Sequence, residues 1–351
     1  MKKIGKVFTR FWAILREIGY RYRYMWQRLG LALVTLFFTT IISFFLVRNI
    51  PGDVILSYAQ ELAIQRGITI EEAMRLAVQI LNYDPEANIF VQFFEYLGGL
   101  LRGNLGSSMY VLDVTVVRVI RQTLPWTLFV ASIALILSFL IGTWLGTRLA
   151  WRRKGAEEIA VSSYIVVSNS IPDYLFGLLL LYVFAYTYPI FPTNGNYDIM
   201  TDPGINLPFI GSVLYHAALP ILALVFTQVG NWALMMKGSA VGVLGEDYIN
   251  AAKARGIPDR IIVKKYLKKN AMLPLITSLA ISFAYLFGGS TLMETIFNYP
   301  GIGQQFASYI GRLDYPMIQG ILFFISSVVI FVNLIADSIY SLVDPRVRRD
   351  A

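Results

Sequence analysis

Six long apolar stretches restrict what this chain can fold into more than any other feature of its sequence. A helix needs roughly 20 mostly apolar residues to cross a bilayer, where its backbone groups must satisfy one another. The stretches of this length are residues 29–47, 124–147, 159–186, 217–236, 271–293 and 317–342. The chain is 56% hydrophobic, against about 45–50% in soluble domains. The sequence therefore predicts an all-α, polytopic membrane protein with six transmembrane helices.

The basic residues are distributed unevenly among the loops between these spans. With the N-terminus inside, 23 of the 30 Lys and Arg residues fall on one side of the membrane and 7 on the other. Cationic residues accumulate on the cytoplasmic side, so we expect both termini to be cytoplasmic. A secretory signal has a short basic start and a short apolar core, so the long basic segment and long first span here predict an uncleaved helix. Topology then explains the net charge of +8, and no nucleic-acid partner is expected.

This topology divides the chain into five segments. They are a basic cytoplasmic arm (1–28), a first transmembrane helix (29–47), an extracytoplasmic cap (48–123), a transmembrane core (124–342) and a cytoplasmic tail (343–351).

The cap is too long to be a simple connection between two spans. One short helix is predicted here by two signals. Thr69 and Glu72 are spaced as a capping box. Apolar residues then recur at helical spacing, at Ile70, Met74, Ala77 and Leu81. The stretch "IFVQFFEYLGGLL" (89–101) predicts a second. The cap either covers the membrane domain or contacts substrate directly.

Little in the sequence indicates catalysis. There is no cysteine and only one histidine, His216, which excludes disulfides, thiolate nucleophiles and His-cluster metal sites. The sequence also lacks the G-x-x-x-x-G-K-[ST], H-E-x-x-H and G-x-S-x-G motifs. We expect no catalytic residues, no metal site and no enzymatic activity in this chain.

Two carboxylates, Asp173 and Asp337, fall within the predicted spans. Ionisable groups inside a membrane are costly and often functional, so a proton relay has to be considered. Asp173 follows Pro172, which is expected to kink the third span, and Asp337 lies near the end of the sixth. Such isolated carboxylates can equally be paired or solvated.

The loop between the fourth and fifth spans, residues 237–270, is too long for a tight connection. Within it, "EDYINAAKAR" has the composition of a helix, which Gly256 and Pro258 would end. The following "DRIIVKKYLKKN" (259–270) predicts a basic amphipathic helix at the lipid surface. Attraction to lipid does not explain the alanine-rich surface of the first helix. That surface indicates a protein partner.

This loop resembles the EAA loop of ABC importer membrane subunits, E-A-A-x-x-x-G. Ala251, Ala252 and Gly256 match, whereas Asn250 stands in place of the Glu. The stretches "DYINAAKARG" (247–256) and "NAMLP" (270–274) are similar to the dipeptide/oligopeptide-type permeases of this family. Further similar stretches are "IPGD" (50–53), "RGNLGSS" (102–108), "TLPWTL" (123–128), "SIPDY" (170–174), "ETIFNYPGIGQ" (294–304), "DYPMIQG" (314–320) and "NLIADSIYSLVDPRVR" (333–348).

The resemblance implies a permease subunit of an ATP-driven importer in a prokaryotic inner or plasma membrane. With a second, homologous permease it would form a pathway for di- and oligopeptides. ATP and Mg would bind on separate ATPase subunits, and an extracytoplasmic substrate-binding protein would deliver the cargo. Lipid would surround the spans. Oligosaccharides or nickel, carried by similar permeases, and a self-sufficient secondary transporter remain alternatives.

The resemblance also assigns roles to individual residues. Those expected to contact an ATPase are Asp247, Tyr248, Ala251, Ala252, Ala254, Arg255, Gly256 and Ile257. Gln228 and Asn231, in the fourth span, either line a hydrated pathway or bond to a neighbouring helix. Pro300 and Gly301 interrupt the stretch after the fifth span, which forms either part of an outer gate or a surface turn.

Overall fold

The structure, a computed structural model, describes residues 26–81, 88–111, 113–152 and 155–343, without the side chains of residues 157 and 336–343. Most of the predicted N-terminal arm and nearly all of the predicted tail lie outside the described residues. The described residues before Pro51 and after Ile321 form one compact unit, and residues 51–321 form another. Within the described parts of the chain, the only β-structure is an isolated bridge between Ser107 and Thr115.

The described chain is a succession of helices. Four are long and apolar enough to cross a membrane: α1 (Trp26–Arg48), α5 (Val116–Trp151), α8 (Leu207–Leu244) and α15 (Tyr315–Val343). Two bent pairs, 158–187 and 259–288, bring the number to six if each pair is one span. The predicted all-α membrane fold is therefore confirmed, with four to six spans among the described residues.

Both bent pairs are broken where the sequence disfavours a straight helix. The first consists of α6 (Ala156–Ser170) and α7 (Asp173–Leu181), which continues as a π-helix to Thr187. Its axis turns by 97°, because Pro172 cannot donate a backbone hydrogen bond and holds the preceding residue extended. Asp173 begins α7, where its carboxylate accepts from the Tyr174 N–H at 2.8 Å. The side chain of Asp337 lies outside the described residues.

The second bent pair joins the basic segment after the loop to the fifth span. It consists of α10 (Asp259–Ile261), a π-helix (Ile262–Leu267), α11 (Lys268–Ala271) and α12 (Leu273–Tyr285), which ends in a 3-10 turn at Gly288. The bend between its halves is 49°. The predicted span 271–293 therefore ends five residues early, because the backbone turns at Gly289 (φ +67°) into the short α13 (Thr291–Ile296). Helix α14 (Ile302–Arg312) follows.

The centre of the larger unit is the packing of α5 against α8. A methyl group added at Gly146 would collide with the Ala233 carbonyl oxygen and lie 2.7 Å from the Met236 Cβ. Gly142, one turn earlier, approaches α8 in the same way. Small residues spaced four apart let two membrane helices approach to backbone contact. The end of α8, from which the loop residues 245–258 continue, therefore lies beside the end of α5.

Three short helices fill the segment between α1 and α5: α2 (Val54–Arg66), α3 (Ile70–Leu81) and α4 (Ile89–Leu101). The Thr69 hydroxyl accepts from the Glu72 N–H at 3.4 Å, as the capping pattern predicts. Helix α3 coincides with the segment predicted from this spacing, but Ile70 and Met74 are exposed. The buried positions are Ala73 and Ala77, whose small side chains let α2 approach.

Candidate functional site

The loop between α8 and the second bent pair contains α9 (Asp247–Ala254), the helix predicted from the alanine-rich stretch. It ends in a Schellman motif. The Gly256 N–H donates to the Lys253 carbonyl at 2.9 Å, and the Ile257 N–H donates to the Ala252 carbonyl at 3.2 Å. This ending needs a left-handed residue, and Gly256 has φ +69°. The glycine in the family signature thus has a local structural reason.

Helix α9 is held on the rest of the chain by a small apolar cluster. Ile249 is fully buried and Ala252 is 4% exposed. Both pack with Ile262 of the following π-helix, and Trp151 at the end of α5 lies against the cluster. Because residues three apart share a helix face, Ile249 and Ala252 together attach α9 to the π-helix and to the end of α5.

Two polar contacts add to this attachment. The Asn270 amide donates to the Tyr248 hydroxyl at 3.2 Å and to the Tyr266 carbonyl at 2.8 Å. The Lys253 ammonium lies 5.3 Å from the centre of the Trp151 ring, within the range of a cation–π contact. Displacement of α9 would therefore be resisted by contacts to α5, to the π-helix and to α11.

The other face of α9 lies at the surface. Most of the predicted contact residues are exposed there: Asp247, Tyr248, Ala251, Ala254, Arg255 and Gly256. Asn250, where the signature has Glu, is exposed as well. Ala252 and Ile257 belong to the attaching cluster instead. The sequence predicted one contact surface for all eight residues and no role for Ile249, although the spacing of three between Ile249 and Ala252 indicates a shared buried face.

The two residues predicted for a pathway lie in different surroundings on α8. Gln228 is half-buried, and its side-chain oxygen lies 3.4 Å from the Ser138 hydroxyl on α5. This contact is the helix–helix alternative, at the long end of hydrogen bonding. Asn231 is exposed in the middle of an apolar helix. A polar side chain at that position points away from the packed core of this chain.

Pro300 and Gly301 lie between α13 and α14, and Gly301 is buried. Beside them, the Glu294 carboxylate accepts from the N–H groups of Gly303 and Gln304 at 2.8 and 3.0 Å. It also accepts from the Thr127 hydroxyl of α5 at 2.8 Å. A methyl group at Gly301 would collide with this carboxylate. The segment is thus packed against α5 and is not a surface turn.

A second buried carboxylate joins the loop before α5 to the start of α15. Asp314 is fully buried and accepts from the Ser108 hydroxyl at 2.5 Å and from the Met109 N–H at 3.3 Å. Burial raises the pKa of the Asp314 carboxyl, and these hydrogen bonds act in the opposite direction. The sequence alone assigned no role to Glu294 or Asp314, since isolated carboxylates carry no spacing signal.

Comparison with known proteins adds to this geometry. The family model of the binding-protein-dependent transport system inner membrane component matches residues 138–349. The match covers more than half of the chain, from α5 to beyond α15. The chain belongs to this family.

Individual relatives match nearly the whole length. A protein of Sinorhizobium fredii named as a probable peptide ABC transporter permease is 32% identical, over 93% of this chain and 99% of its own. The dipeptide transport system permease of Escherichia coli K12 is 28% identical, over 93% and 98%. The oligopeptide transport system permease AppB of Bacillus subtilis is 28% identical, over 92% and 98%.

Membership in this inner membrane family agrees with the apolar helices and shows a multi-pass membrane protein. The family is a component of transport systems and is not a known family of enzymes. Among the described residues, no group of three His, Asp or Glu side chains could hold a metal ion.

Proposed function

We propose that this chain is a permease subunit of an ABC importer that takes up di- and oligopeptides. The support is the family match together with relatives that are named for peptide, dipeptide and oligopeptide transport and align over nearly their full length. In this role the chain has no catalytic residue of its own. ATP and Mg bind to separate ATPase subunits, and a binding protein delivers peptide from outside.

The observation that carries the proposed mechanism is the two-sided character of α9. Its inner face, Ile249 and Ala252, is fixed to α5 and the π-helix. Its outer face presents Ala251, Ala254 and Gly256, whose low relief suits a cleft on an ATPase subunit. Closure of two ATPases on ATP would then move α9 and the attached spans together. An ATPase that binds two conformations of the permease with different affinities would drive the change from one to the other.

A second, homologous permease completes the pathway. Exposed Asn231 and half-buried Gln228 lie on α8, and a polar residue on an apolar span is favoured only against protein or water. We place the pathway on the face of α8 that exposes Asn231, with Gln228 at its border with α5. Pro300 and Gly301 belong to an outer gate, whose position is fixed by the bonds of Glu294 to α5 and α14. Both termini and α9 are cytoplasmic in this arrangement.

Reconstitution of the chain with its partner subunits in liposomes tests the proposal. The partners are a second permease, ATPase subunits and an extracytoplasmic binding protein of the same organism. We expect ATP-dependent accumulation of a labelled dipeptide or short oligopeptide, saturable and dependent on the binding protein. Uptake of a labelled oligosaccharide or of nickel, without peptide uptake, would contradict the cargo. Uptake by the chain alone, driven by a proton gradient without ATPases, would contradict the importer.

A further inference from the structure

Asp173 is a carboxylate in the middle of the broken span formed by α6 and α7, and the proposed transport cycle gives it no role. It is half-buried at the start of α7. Its side chain accepts from the Tyr174 N–H at 2.8 Å and forms no ion pair with any residue that the structure describes. Carboxylates at membrane depth are costly and are usually paired or functional. Asp173 is thus open to a cation from outside this chain.

The sequence around Asp173 contains no cation that could pair with it. Residues 159–236, which include most of α6, all of α7 and most of α8, contain no Lys or Arg. Between residues 159 and 197, Asp173 is also the only Asp, Glu or His. A proton relay along this span would need further groups of that kind. The carboxylate therefore stands alone as a charged group in its span.

Two amide side chains lie beside the break that Asp173 follows. Asn169 is exposed in the last turn of α6, and its side-chain oxygen lies 3.0 Å from the position of a methyl group added at Gly230 of α8. Asn231, the next residue of α8, is exposed too. Neither amide side chain forms a hydrogen bond with a described residue. Lipid tails cannot bond to an amide, so these groups require water or a polar partner.

The contacts of the break place Asp173 near the same turn of α8. The Phe176 ring stacks on the Phe226 ring, with their centres 4.0 Å apart, and Asn169 lies against Gly230. Asp173 lies between these two contacts along the chain, and Phe226 and Gly230 are one helical turn apart. The carboxylate and the two amides are therefore grouped around one turn of α8.

The break also leaves backbone carbonyls without the donors of a continuous helix. Pro172 has no N–H for the Ser168 carbonyl. The Tyr174 N–H, which a continuous helix would give to the Ser170 carbonyl, binds the Asp173 carboxylate instead. Irregular backbone at membrane depth is tolerated only where it is buried in protein or lines a cavity, and both Ser170 and Pro172 are exposed. The break thus suits a ligand with several N–H donors.

We propose that Asp173 binds the N-terminal ammonium group of the transported peptide, while Asn169 and Asn231 bond to the peptide's backbone amides. An ammonium group has a positive charge and three N–H donors, which match a carboxylate among acceptor oxygens. Carboxamides have both donors and an acceptor, as a peptide unit does. This role rests on the proposed uptake of peptides and makes Asp173 the residue that distinguishes them from neutral cargo.

The charge preference of the site can be measured without any cargo. The chain contains no cysteine, so Asn169→Cys in the assembled importer can be treated with 2-aminoethyl or 2-sulfonatoethyl methanethiosulfonate, one cationic and one anionic, and followed by intact mass. Relative to their rates with 2-mercaptoethanol, the cationic reagent should react about tenfold faster than the anionic one, because Asp173 attracts an ammonium group. Asp173→Asn should abolish this preference, yet it keeps an acceptor for the Tyr174 N–H.

Asp202→Asn is the matched control for the loss of a carboxylate. Asp202 is exposed in the loop before α8, within the same stretch without Lys or Arg. Combined with Asn169→Cys, it should leave the cationic preference unchanged. Three outcomes would overturn the site: no reaction of Asn169→Cys with either reagent, equal relative rates of the two reagents, or a preference that survives Asp173→Asn.

Uptake by the reconstituted importer separates this site from the proposed function. We expect Asp173→Asn to slow ATP-driven dipeptide uptake about tenfold, the effect of losing one charge-assisted hydrogen bond, and Asp173→Glu to retain most of the rate. ATP hydrolysis stimulated by the loaded binding protein should persist in both variants. Wild-type uptake by Asp173→Asn would overturn the site alone. Absence of peptide uptake by the wild type would contradict the proposed function, and with it the peptide as ligand.

Discussion

Two glycines flank α9, and they differ in backbone conformation. Gly256 has φ +69°, with open space where a side chain would be, whereas Gly245 has φ −78°. Gly256→Ala should therefore cost ~1 kcal/mol of local stability through strain alone. We expect amide hydrogen exchange in α9 to rise about fivefold and ATP-driven uptake to fall.

Gly245→Ala is the matched control, because alanine adopts its backbone conformation freely. It should change neither exchange in α9 nor uptake. Equal behaviour of the two variants would show that the left-handed end of α9 is not what Gly256 provides.

The carboxylate of Glu294 holds the α13–α14 segment in place. It accepts three hydrogen bonds, from Thr127, Gly303 and Gln304. A glutamine there has a single acceptor oxygen and a donor that would face N–H groups. Glu294→Gln should lower stability by ~1–3 kcal/mol, the cost of leaving buried groups unsatisfied.

Thermal unfolding in detergent measures this effect, with Glu71→Gln on the exposed start of α3 as the control carboxylate. The control should shift the unfolding temperature little. A shift at Glu294 no larger than at Glu71 would contradict the assigned network.

Among single residues, the sequence predicted the roles that depend on neighbours along the chain. It did not predict the roles that depend on contacts with residues far away in the sequence. Gly256 could be predicted because the end of a helix is a local property. Ala252 was predicted to contact a partner, yet it is 4% exposed, because its burial depends on Trp151 and Ile262. The contact of Glu294 with Thr127 joins residues 167 positions apart, which no spacing pattern reveals.

Among the helices, the pair α5 and α8 depends most on close approach. Gly146→Ala places a methyl group against the Ala233 carbonyl and should cost ~1–3 kcal/mol by overpacking. Gly211→Ala, also on a long apolar helix but with no atom within 4 Å of the added group, should be neutral or stabilising. The measurement is the unfolding temperature of both variants in the same detergent. Equal shifts would contradict the close packing of α5 on α8.

Helix positions followed from hydropathy, while their ends and bends followed from other forces. α5 and α8 extend beyond their predicted apolar cores, because polar residues continue a helix readily outside the bilayer. The 97° turn at Pro172 was expected as a kink, because proline has a local effect. The early end at Gly289 was not expected, because Leu292 and Met293 continue the apolar stretch into α13, which packs against the distant α7 and against α14.

For the molecule as a whole, one sequence was enough to predict the family, because many short motifs occur in order along the chain. It was not enough to predict the cargo, since no single motif is specific for peptides. The architecture instead explains how a chain without catalytic residues can respond to ATP. α9 is fixed on one face and exposed on the other, and α5 connects it to the segment around Glu294.

The central claim, that the exposed face of α9 contacts an ATPase subunit, can be tested by cross-linking. The chain contains no cysteine, so single cysteines at exposed Ala254 and buried Ala252 can each carry a photoreactive maleimide without background. In the assembled importer, Ala254→Cys should cross-link to the ATPase, with a yield that changes when ATP is added, and Ala252→Cys should label and cross-link poorly. No adduct from Ala254→Cys in a complex that still transports would contradict the account.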